Sequence, residues 1–432
     1  MNVISEKPRQ TPVIAEVEVL VAGGGPGGLA AAVAAARAGA RTMLVERYGH
    51  LGGLATGGLV IWLPGFFPGG SDAYGGVPLE WVQRTEKLGG AHYRQVTETQ
   101  ASVFLDPELL KYTALEMVEE AGVDLLHHAW VVDTIMDGSR CRGVIIESKA
   151  GRQAILAQAL VDGTGDGDLV AWAGGQFTSR DMPIALVFRL GGVDWEAYGR
   201  HIETHRQEFA GLRRDWEKEH GVRIPALDAR DARGFAWCNS WGFKGYSALS
   251  ASDLTQVEKR FRRAIMYTLD YMQRNLPGME RAFVVDTSPQ IGTRDSRRIA
   301  GDHRICAADM DAGAALADSI GKGTKSSLRR PIFDIPYRCI VPRGVDNLVV
   351  SGRCASIADD AYEAMRLITP CLVMGQAAGV AAALAVRQGA TIAGVEIGRL
   401  QETLRQQGVP LQIRPAVPYP TGSGSITAEQ AD

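Results

Sequence analysis

The chain has 432 residues, of which 46% are hydrophobic and 22% are charged. These are ordinary values for a globular protein, and the length suggests two intertwined domains. The net charge of −3 and the pI of about 6.3 show no basic excess, which speaks against a nucleic-acid-binding protein.

The first elements along the chain predict a strand–helix–strand unit. Residues 1–16 are expected to form a loose leader, and the apolar residues 17–21 predict a strand. Residues 29–38 are rich in alanine and predict a helix, and residues 41–45 predict a second strand that closes with Glu46. This order is typical of a βαβ unit.

A helix and a group of strands follow. Asp106 is placed to cap a helix over residues 107–121, with proline at its first position. Short apolar runs predict strands around residues 124–126, 131–136, 143–148 and 155–161. The Asp-Gly pair between the second and third of these strands predicts a hairpin turn.

The composition changes after about residue 175. Residues 195–282 are rich in Trp, Arg, Glu and Tyr, and their spacing predicts amphipathic helices near 195–220 and 253–275. Further on, glycine, arginine and apolar residues return, and a final helix is expected to start near Gly375. This change and return predict a domain that is inserted into the first one.

A glycine-rich loop separates the first strand from the first helix. Gly23, Gly25 and Gly28 form the pattern G-x-G-x-x-G. The first glycine permits a tight turn, the second lets the backbone approach a pyrophosphate, and the third lets helix and strand pack closely. Glu46 follows Gly28 by eighteen residues, where a carboxylate can accept ribose hydroxyls. The loop therefore predicts a dinucleotide site, and the acid argues against a 2′-phosphate.

A second glycine-rich loop, residues 47–58, comes directly after this acid. Such a loop is unusual in a domain that binds only a nicotinamide dinucleotide, and it fits a flavin whose diphosphate and ring both follow the backbone. The sequence thus favours FAD as the cofactor. The candidate contacts in this loop are Arg47, Gly52, Gly53 and Thr56.

Residues 23–58, together with three further segments, resemble the FAD-dependent oxidoreductase family. These proteins are Rossmann flavoproteins of the glutathione-reductase-like kind, related to the fumarate reductase and succinate dehydrogenase flavoprotein group. The segments are residues 161–168, residues 292–302 and the C-terminal block 334–379. The resemblance covers residues 17 to about 387, and its motifs are specific for the family but not for a substrate.

The resemblance implies an α/β fold, in which a Rossmann-type FAD-binding domain of the glutathione-reductase-like kind carries an inserted α+β substrate or cap domain. The expected division is a leader over 1–16, the FAD-binding domain over 17–174 and 291–410, the substrate or cap domain over 175–290, and a flexible tail over 411–432.

The resemblance also implies cofactor contacts beyond the first two loops. It places Val131 with its backbone at the adenine and makes Gln376 open a last helix that points at the flavin pyrimidine. A helix N-terminus there would stabilise the negative charge of a reduced flavin. The implied contacts are Val131, Gly165, Asp166, Gly352, Arg353, Gln376 and Ala377.

The resemblance has one gap, which concerns how the flavin is held. The fumarate reductase group carries a covalent histidine within the second glycine-rich loop. Here residues 52–56 contain no histidine, and the nearest one, His50, comes several residues early. We therefore expect non-covalent FAD.

Arginines are concentrated in the segments expected near the flavin. Arginine can bind carboxylates through its planar fork and can stabilise charge that develops during hydride transfer. The alternative is that these arginines pair with nearby acids to hold the two domains together. His303 is a candidate general base, with a surface position as the alternative. The candidate catalytic residues are Arg294, Arg366, His303 and Arg338.

The leading functional prediction is an FAD-dependent dehydrogenase or oxidase that oxidises a small organic substrate by hydride transfer. A reductase of an activated double bond, an NAD(P)H-dependent flavin monooxygenase, and an RNA-modification or scaffold flavoprotein stay open. The electron acceptor is unknown, a homodimer is the default assembly, and no nucleic acid, membrane or metal is expected. The six cysteines form no CxxC pair and show no zinc-site spacing. A chain of this length needs no disulfide staples, so a reducing cytoplasm is expected.

Overall fold

The computed structural model describes most of the chain. The described residues are 3–5, 7–66, 73–97, 100–227, 229–311, 315–324 and 332–412. Apart from residues 411 and 412, the tail expected over 411–432 lies outside them. The expected division into domains stays a prediction.

Seventeen strands occur in the described residues. They are β1 (Val13–Ala22), β2 (Thr42–Glu46), β3 (Trp62–Pro64), β4 (Ala91–Thr97), β5 (Gln100–Leu105), β6 (Asp124–His127), β7 (Trp130–Asp137), β8 (Arg140–Ser148), β9 (Gly151–Asp162), β10 (Phe177–Ser179), β11 (Phe188–Gly191), β12 (Ala236–Cys238), β13 (Phe283–Thr287), β14 (Arg297–Ile299), β15 (Ser319–Gly323), β16 (Phe333–Pro336) and β17 (Leu348–Val350).

Eleven α-helices accompany them in the same part of the chain. They are α1 (Pro26–Arg37), α2 (Gly76–Lys87), α3 (Pro107–Glu120), α4 (Asp168–Trp172), α5 (Trp195–Thr204), α6 (Arg206–His220), α7 (Ala251–Asn275), α8 (Ala307–Asp311), α9 (Asp359–Met365), α10 (Ile368–Gln388) and α11 (Ile397–Gln406).

A seven-stranded sheet organises the larger part of the fold. Its parallel strands run in the order β6, β2, β1 and β9, and β17 pairs with the end of β9. The first half of β9 also pairs with the antiparallel hairpin of β8 and β7. Because β1, β9 and β17 are parallel neighbours, their carboxyl ends lie side by side, where α/β sheets bind ligands.

The helices α1 and α10 pack on each other without large side chains between them. A Cβ added at Gly375 would lie 2.0 Å from the carbonyl oxygen of Gly27, and one at Gly379 would lie 2.0 Å from that of Ala31. A methyl group therefore does not fit at either position. The two glycines, four residues apart on one face of α10, let the two backbones touch.

The expected helix start near Gly375 is wrong. Helix α10 begins at Ile368, and Gly375 lies in its third turn. The cluster of small residues from 375 to 379 serves contact with α1 and does not mark a turn. A further helix, α11, also comes after α10.

Helix α10 is also long and apolar enough, by length and composition, to cross a membrane, and it is the one such helix among the described residues. Almost all of its apolar stretch is buried inside the fold, as in a core helix. Its apolar composition follows from its packing against α1 and against strands of the main sheet.

A second group of elements has its own hydrophobic core. The antiparallel strands β12, β11 and β13 form a sheet, and α5, α6 and α7 surround it. The buried side chains of this core include Phe188, Tyr198 and Phe261. Between it and the main core lies a small cluster in which the Trp237 indole N–H donates to the carbonyl of Leu59 over 2.7 Å. This contact joins the two groups of elements.

Several local predictions are confirmed, and others need correction. Asp106 accepts hydrogen bonds from the amides of Glu108 and Leu109 at the start of α3, and β7 and β8 form the expected hairpin. The leader is shorter than expected, because β1 starts at Val13 and pairs with β9 from there. The three-stranded sheet of β3, β5 and β4 was not predicted, because its strands lack a clear alternation of apolar and polar residues.

Asp162 holds the turn that follows β9. Its carboxylate accepts hydrogen bonds from the amide and hydroxyl of Thr164, at 3.1 and 2.6 Å, and from the amides of Leu169 and Val170, at 2.9 and 3.3 Å. The side chain is fully buried. One carboxylate thus fixes both the turn and the first residues of α4.

We expect Asp162→Ala to destabilise the protein, because four buried or partly buried donors lose their acceptor. The expected loss in the free energy of unfolding is about 3 kcal/mol or more. Urea unfolding followed by circular dichroism measures it. Asp124→Ala, at an exposed strand position, is the control and should change the midpoint little. Equal midpoints for the two variants would show that the carboxylate does not hold the turn.

Candidate functional site

The first glycine-rich loop runs from β1 into α1. Gly23 has a φ of +95°, a conformation that favours glycine, and its amide donates to the carbonyl of Val45 over 2.8 Å. A Cβ at Gly28 would lie 1.7 Å from the carbonyl oxygen of Gly23. The loop therefore depends on glycine for its turn and for the contact between helix and strand.

Gly25 differs from these two glycines. A Cβ there would meet no protein atom closer than the carbonyl oxygen of Gly163, at 3.9 Å. Its φ of −64° and ψ of −178° are open to any residue. The protein itself thus places no demand on Gly25, and the space beside it opens toward the start of α1.

Glu46 ends β2 next to this loop. One of its carboxylate oxygens accepts the amide of Gly24 over 2.6 Å, and the other accepts the amide of Tyr48 over 2.8 Å. The Arg47 guanidinium lies over the rings of Tyr48 and Trp130, 4.9 and 5.3 Å from their centres. The acid is thereby fixed at the end of the strand, where its position matches the ribose-binding role expected from the sequence.

A long cleft, hereafter the cleft, runs along the carboxyl ends of β1, β2, β9 and β17. Its walls come from both glycine-rich loops, from the turn after β9, from the start of β7, from the segment after β17 and from the start of α10. The lining residues include Gly23, Gly25, Pro26, Gly27, Glu46, Arg47, Tyr48, Gly53, Leu54, Trp130, Val131, Gly163, Thr164, Gly165, Asp166, Gln290, Ser351, Gly352, Arg353, Arg366, Ile368 and Cys371.

Arg353 and Asp166 face each other across the middle of the cleft. Nη1 of Arg353 lies 3.0 Å from Oδ1 of Asp166, and Nη2 donates to the hydroxyl of Thr293 over 3.1 Å. Burial opposes the charge of Arg353, but Asp166 outweighs it and raises the pKa of the guanidinium. The pair links the strand end of β17 to the turn after β9.

A second space, hereafter the side cavity, opens from the cleft and has a volume of about 480 Å³. It shares Leu54, Arg353, Arg366 and Ile368 with the cleft. The remaining walls come mainly from β3, from the residues just before β11 and just after β12, from the segment after β13, and from α9 and the residues that follow it. They include Val60, Trp62, Ala185, Val187, Arg223, Asn239, Ser240, Trp241, Thr293, Arg294, Glu363 and Leu367.

Arg294 and Arg366 both line the side cavity. Nη2 of Arg366 donates to the carboxylate of Glu363 over 2.6 Å, and its Nε is buried without a hydrogen-bond partner. The guanidinium of Arg294 donates to backbone carbonyls and lies 5.2 Å from the centre of the Trp241 ring. Both arginines thus lie where a molecule beside the cleft would meet them.

The structure brings most of the predicted cofactor contacts to the cleft. They are Gly23, Gly25, Glu46, Arg47, Gly53, Val131, Gly165, Asp166, Gly352 and Arg353. Three others, Gly28, Gly52 and Thr56, lie behind its wall. The Thr56 hydroxyl, for example, is turned to the carbonyl of Leu51 over 2.5 Å.

Gln376 and Ala377 do not line the cleft, which corrects the prediction that they open the last helix. Both are buried within α10, and the Gln376 side chain accepts the amide of Val77 over 3.0 Å. The helix start that does reach the cleft is formed by Ile368 and Cys371. The N-terminus of α10 still points at the cleft, but different residues form it.

His303 and Arg338 also lie away from the cleft and the side cavity. Nε2 of His303 is 3.0 Å from the carboxylate of Asp309, and Nε of Arg338 donates to Asp318 over 2.9 Å. Neither residue lines either space. Arg338 thus pairs with a nearby acid, as in the structural alternative for the arginines. His303 is partly buried against Asp309.

Sequence reasoning missed several lining residues. Ser351 and Trp130 directly precede the predicted contacts Gly352 and Val131, so the motifs at those contacts could have pointed to them. Gln290 and Glu363 lie in loops and helices with no motif of their own. Only the folded chain brings these two residues to the cleft and the side cavity.

The cleft fits a flavin dinucleotide on the chain's own geometry. Gly25 leaves space beside the N-terminus of α1, where backbone N–H groups favour phosphates. Gln290 Oε1 and Arg366 Nε are buried polar atoms without a hydrogen-bond partner, and both residues line the cleft. Such atoms are costly unless a ligand satisfies them.

Comparison with known proteins gives one extensive match to a family. A model of the family described as FAD dependent oxidoreductase matches residues 18–404. Among solved structures, the chain is similar to a geranylgeranyl bacteriochlorophyll reductase-like protein from Thermoplasma acidophilum, at 14% identity over 91% of this chain and 84% of that one, with a TM-score of 0.49. It is also similar to the p-nitrophenol 4-monooxygenase of Pseudomonas putida, at 13% identity over 91% and 84%, with a TM-score of 0.48. These structural likenesses are too weak to assign an activity.

We expect Gly25→Ala to weaken the binding of FAD without disturbing the fold. The added methyl group makes only an ordinary contact with the carbonyl oxygen of Gly163, at 3.9 Å, and would occupy the space beside the α1 N-terminus. The thermal midpoint of the apoprotein should stay at the wild-type value, while the dissociation constant for FAD rises about tenfold or more. Fluorescence titration of the apoprotein with FAD measures it.

Gly199→Ala is the matched control, because Gly199 lies on helix α5, outside the cleft. A Cβ added there would come no closer to another residue than 3.8 Å, from the side chain of Leu227. This variant should bind FAD like the wild type. Wild-type affinity in Gly25→Ala would refute the assignment of the diphosphate position.

Proposed function

Because the chain belongs to the FAD dependent oxidoreductase family, we propose that it is a dehydrogenase or oxidase acting on a small organic substrate in the side cavity. The chain is an FAD-dependent enzyme. The observation that carries the proposal is the continuity of the two spaces through Leu54, Arg353, Arg366 and Ile368. A molecule in the side cavity would therefore lie directly beside the cofactor.

The cleft supplies the groups that would hold FAD. The loop at Gly23 and Gly25, with the N-terminus of α1, would bind the diphosphate, and Glu46 would accept ribose hydroxyls. When bound, FAD accepts a hydride, which is two electrons and one proton, from a C–H bond of the substrate. The start of α10 would favour the negative charge that this gain of electrons produces.

The side cavity supplies the groups that would act on the substrate. Loss of a hydride from a carbon that bears an O–H or N–H group releases a proton as well, and Glu363 is the one carboxylate among the described residues that line the cavity. We assign this proton to Glu363. The positive charges of Arg294 and Arg366 would stabilise negative charge that develops on the substrate as the proton leaves.

The electrons must then leave the enzyme for an acceptor. Dioxygen would make the enzyme an oxidase, and a quinone or a partner protein would make it a dehydrogenase. We further propose that the enzyme works in the cytoplasm, since the six cysteines are free thiols and most are buried. A homodimer is the proposed assembly.

The first test mixes the purified yellow protein with NADH and then NADPH without oxygen, and follows the flavin absorbance. We expect no rapid bleaching by either nucleotide, and bleaching by at least one member of a panel of amines, alcohols and acids. Rapid bleaching by NADPH alone would instead favour a monooxygenase or a double-bond reductase. Stoichiometric RNA in the purified protein would favour the RNA-modification alternative.

Glu363→Gln supplies the matched variant for the same measurement. The amide keeps the shape of the side chain but cannot take the proton, so bleaching by the active substrate should slow about a hundredfold. The FAD content of the variant should stay at the wild-type level, because Glu363 does not line the cleft. An unchanged rate would remove Glu363 from the reaction.

We expect FAD to be released intact when the protein is precipitated with acid. His50 does not line the cleft, stacks on Tyr48 and has Nδ1 3.4 Å from the Thr56 hydroxyl. Cys371 does line the cleft, but burial raises the pKa of its thiol to about 12, so it stays a poor nucleophile. Chromatography of the supernatant measures the release, and a yellow pellet would show a covalent bond.

A further inference from the structure

The side cavity contains one arginine, Arg294, that forms no ion pair within the described residues. Nη1 of Arg294 donates to the carbonyls of Pro183 and Trp241, over 2.6 and 2.8 Å, and Nη2 donates to the carbonyl of Ser240 over 2.6 Å. None of the ion pairs found within the described ranges includes Arg294. Three carbonyls orient the guanidinium but leave its positive charge in place.

The other three arginines of the side cavity each have an acid beside them. The pairs are Arg223 with Glu217, Arg353 with Asp166, and Arg366 with Glu363. Four positive charges thus meet three negative ones. Counted with their paired acids, two of which lie outside the lining, the four arginines leave a surplus of one positive charge, on Arg294.

This surplus is costly where it lies. Burial, followed by the nearby charge of Arg366, lowers the pKa of Arg294 to about 10, so the group stays protonated at neutral pH. A partly buried charge without an ion-pair partner costs free energy that a bound anion would recover. The same features therefore prepare the cavity for an anion.

The chemistry of the other lining residues indicates what the rest of the ligand is like. They are mostly apolar and aromatic, and include Val60, Trp62, Ala185, Val187, Trp241, Leu367 and Ile368. A cavity of about 480 Å³ lies in the range of small-molecule sites. Such walls suit an apolar or ring-bearing body better than a heavily hydrated one.

We propose that the side cavity binds an organic monocarboxylate, with its head group on Arg294 and its apolar or aromatic body against Trp62 and Trp241. One negative charge balances the one surplus positive charge, whereas a phosphate dianion would leave the site with one net negative charge. The planar carboxylate also matches the fork of a guanidinium. The assignment of this carboxylate as the molecule that is oxidised rests on the proposed function, whereas its binding does not.

Phenylacetate and its neutral counterpart phenylacetamide are the probes. Each is titrated into the oxidised FAD-loaded enzyme, and binding is measured by calorimetry and by the shift in flavin absorbance. We expect phenylacetate to bind at least about tenfold more tightly than phenylacetamide. This comparison needs no variant, so a folding defect cannot confuse it.

Arg294→Met should abolish the preference, with the affinity for phenylacetate falling about tenfold to a hundredfold and that for phenylacetamide changing little. Arg294→Lys keeps the charge and should keep part of the preference. Arg343→Met, at an exposed arginine that pairs with Asp302 outside the cavity, is the control and should bind both probes like the wild type.

Equal affinity for the two probes in the wild type, or an unchanged preference in Arg294→Met, would overturn the proposal. Either result would leave the dehydrogenase or oxidase proposal standing, because it rests on substrate-dependent bleaching. Conversely, tight binding of phenylacetate together with rapid bleaching by NADPH would support the carboxylate site and overturn the proposed reaction.

Discussion

The close approach of helix α1 to its surroundings is the constraint on which the rest of the structure depends. No side chain separates the helix start from the loop at Gly23, and a methyl group at Gly28 would overlap that loop's carbonyl. On its other side, α1 meets α10 through Gly375 and Gly379. Because the helix lies this near, its N-terminus reaches the carboxyl ends of the parallel strands. The cleft is the space that remains between them.

The arginines of the cleft and the side cavity differ in whether an acid is paired with them. Most arginines of the C-terminal segments are held by acids. Arg298, for example, pairs with its near neighbour Asp295 and also with Asp359, 61 residues away in sequence. Arg353 forms such a pair across the cleft with Asp166. Arg294 is bound by carbonyls alone. Arginines with a structural role, such as Arg298, are paired with carboxylates, whereas Arg294 is not. Both kinds lie in the same part of the sequence, so only their partners distinguish them.

Local signals allowed much of the fold to be predicted from the sequence. The cap at Asp106, the glycine-rich loop and the hairpin depend on neighbouring residues, so their patterns could be read directly. Gly375 was misread, because glycine marks a turn in one setting and a close helix contact in another, and only tertiary packing decides. Glu363 and Gln290 reach their sites through distant contacts for which the sequence has no short pattern. His303 was a chemically reasonable base whose partner, Asp309, keeps it elsewhere.

The contact between α1 and α10 joins parts of the chain that are made at very different times. The Arg387 side chain, at the end of α10, donates to the carbonyl of Ala38, 349 residues away in sequence. During synthesis, the alanine-rich face of α1 leaves the ribosome long before the helix that covers it. Contacts of such long range form late in folding and expose apolar surface meanwhile. Completion of the cofactor cleft must therefore await the synthesis of α10, whose start lines it.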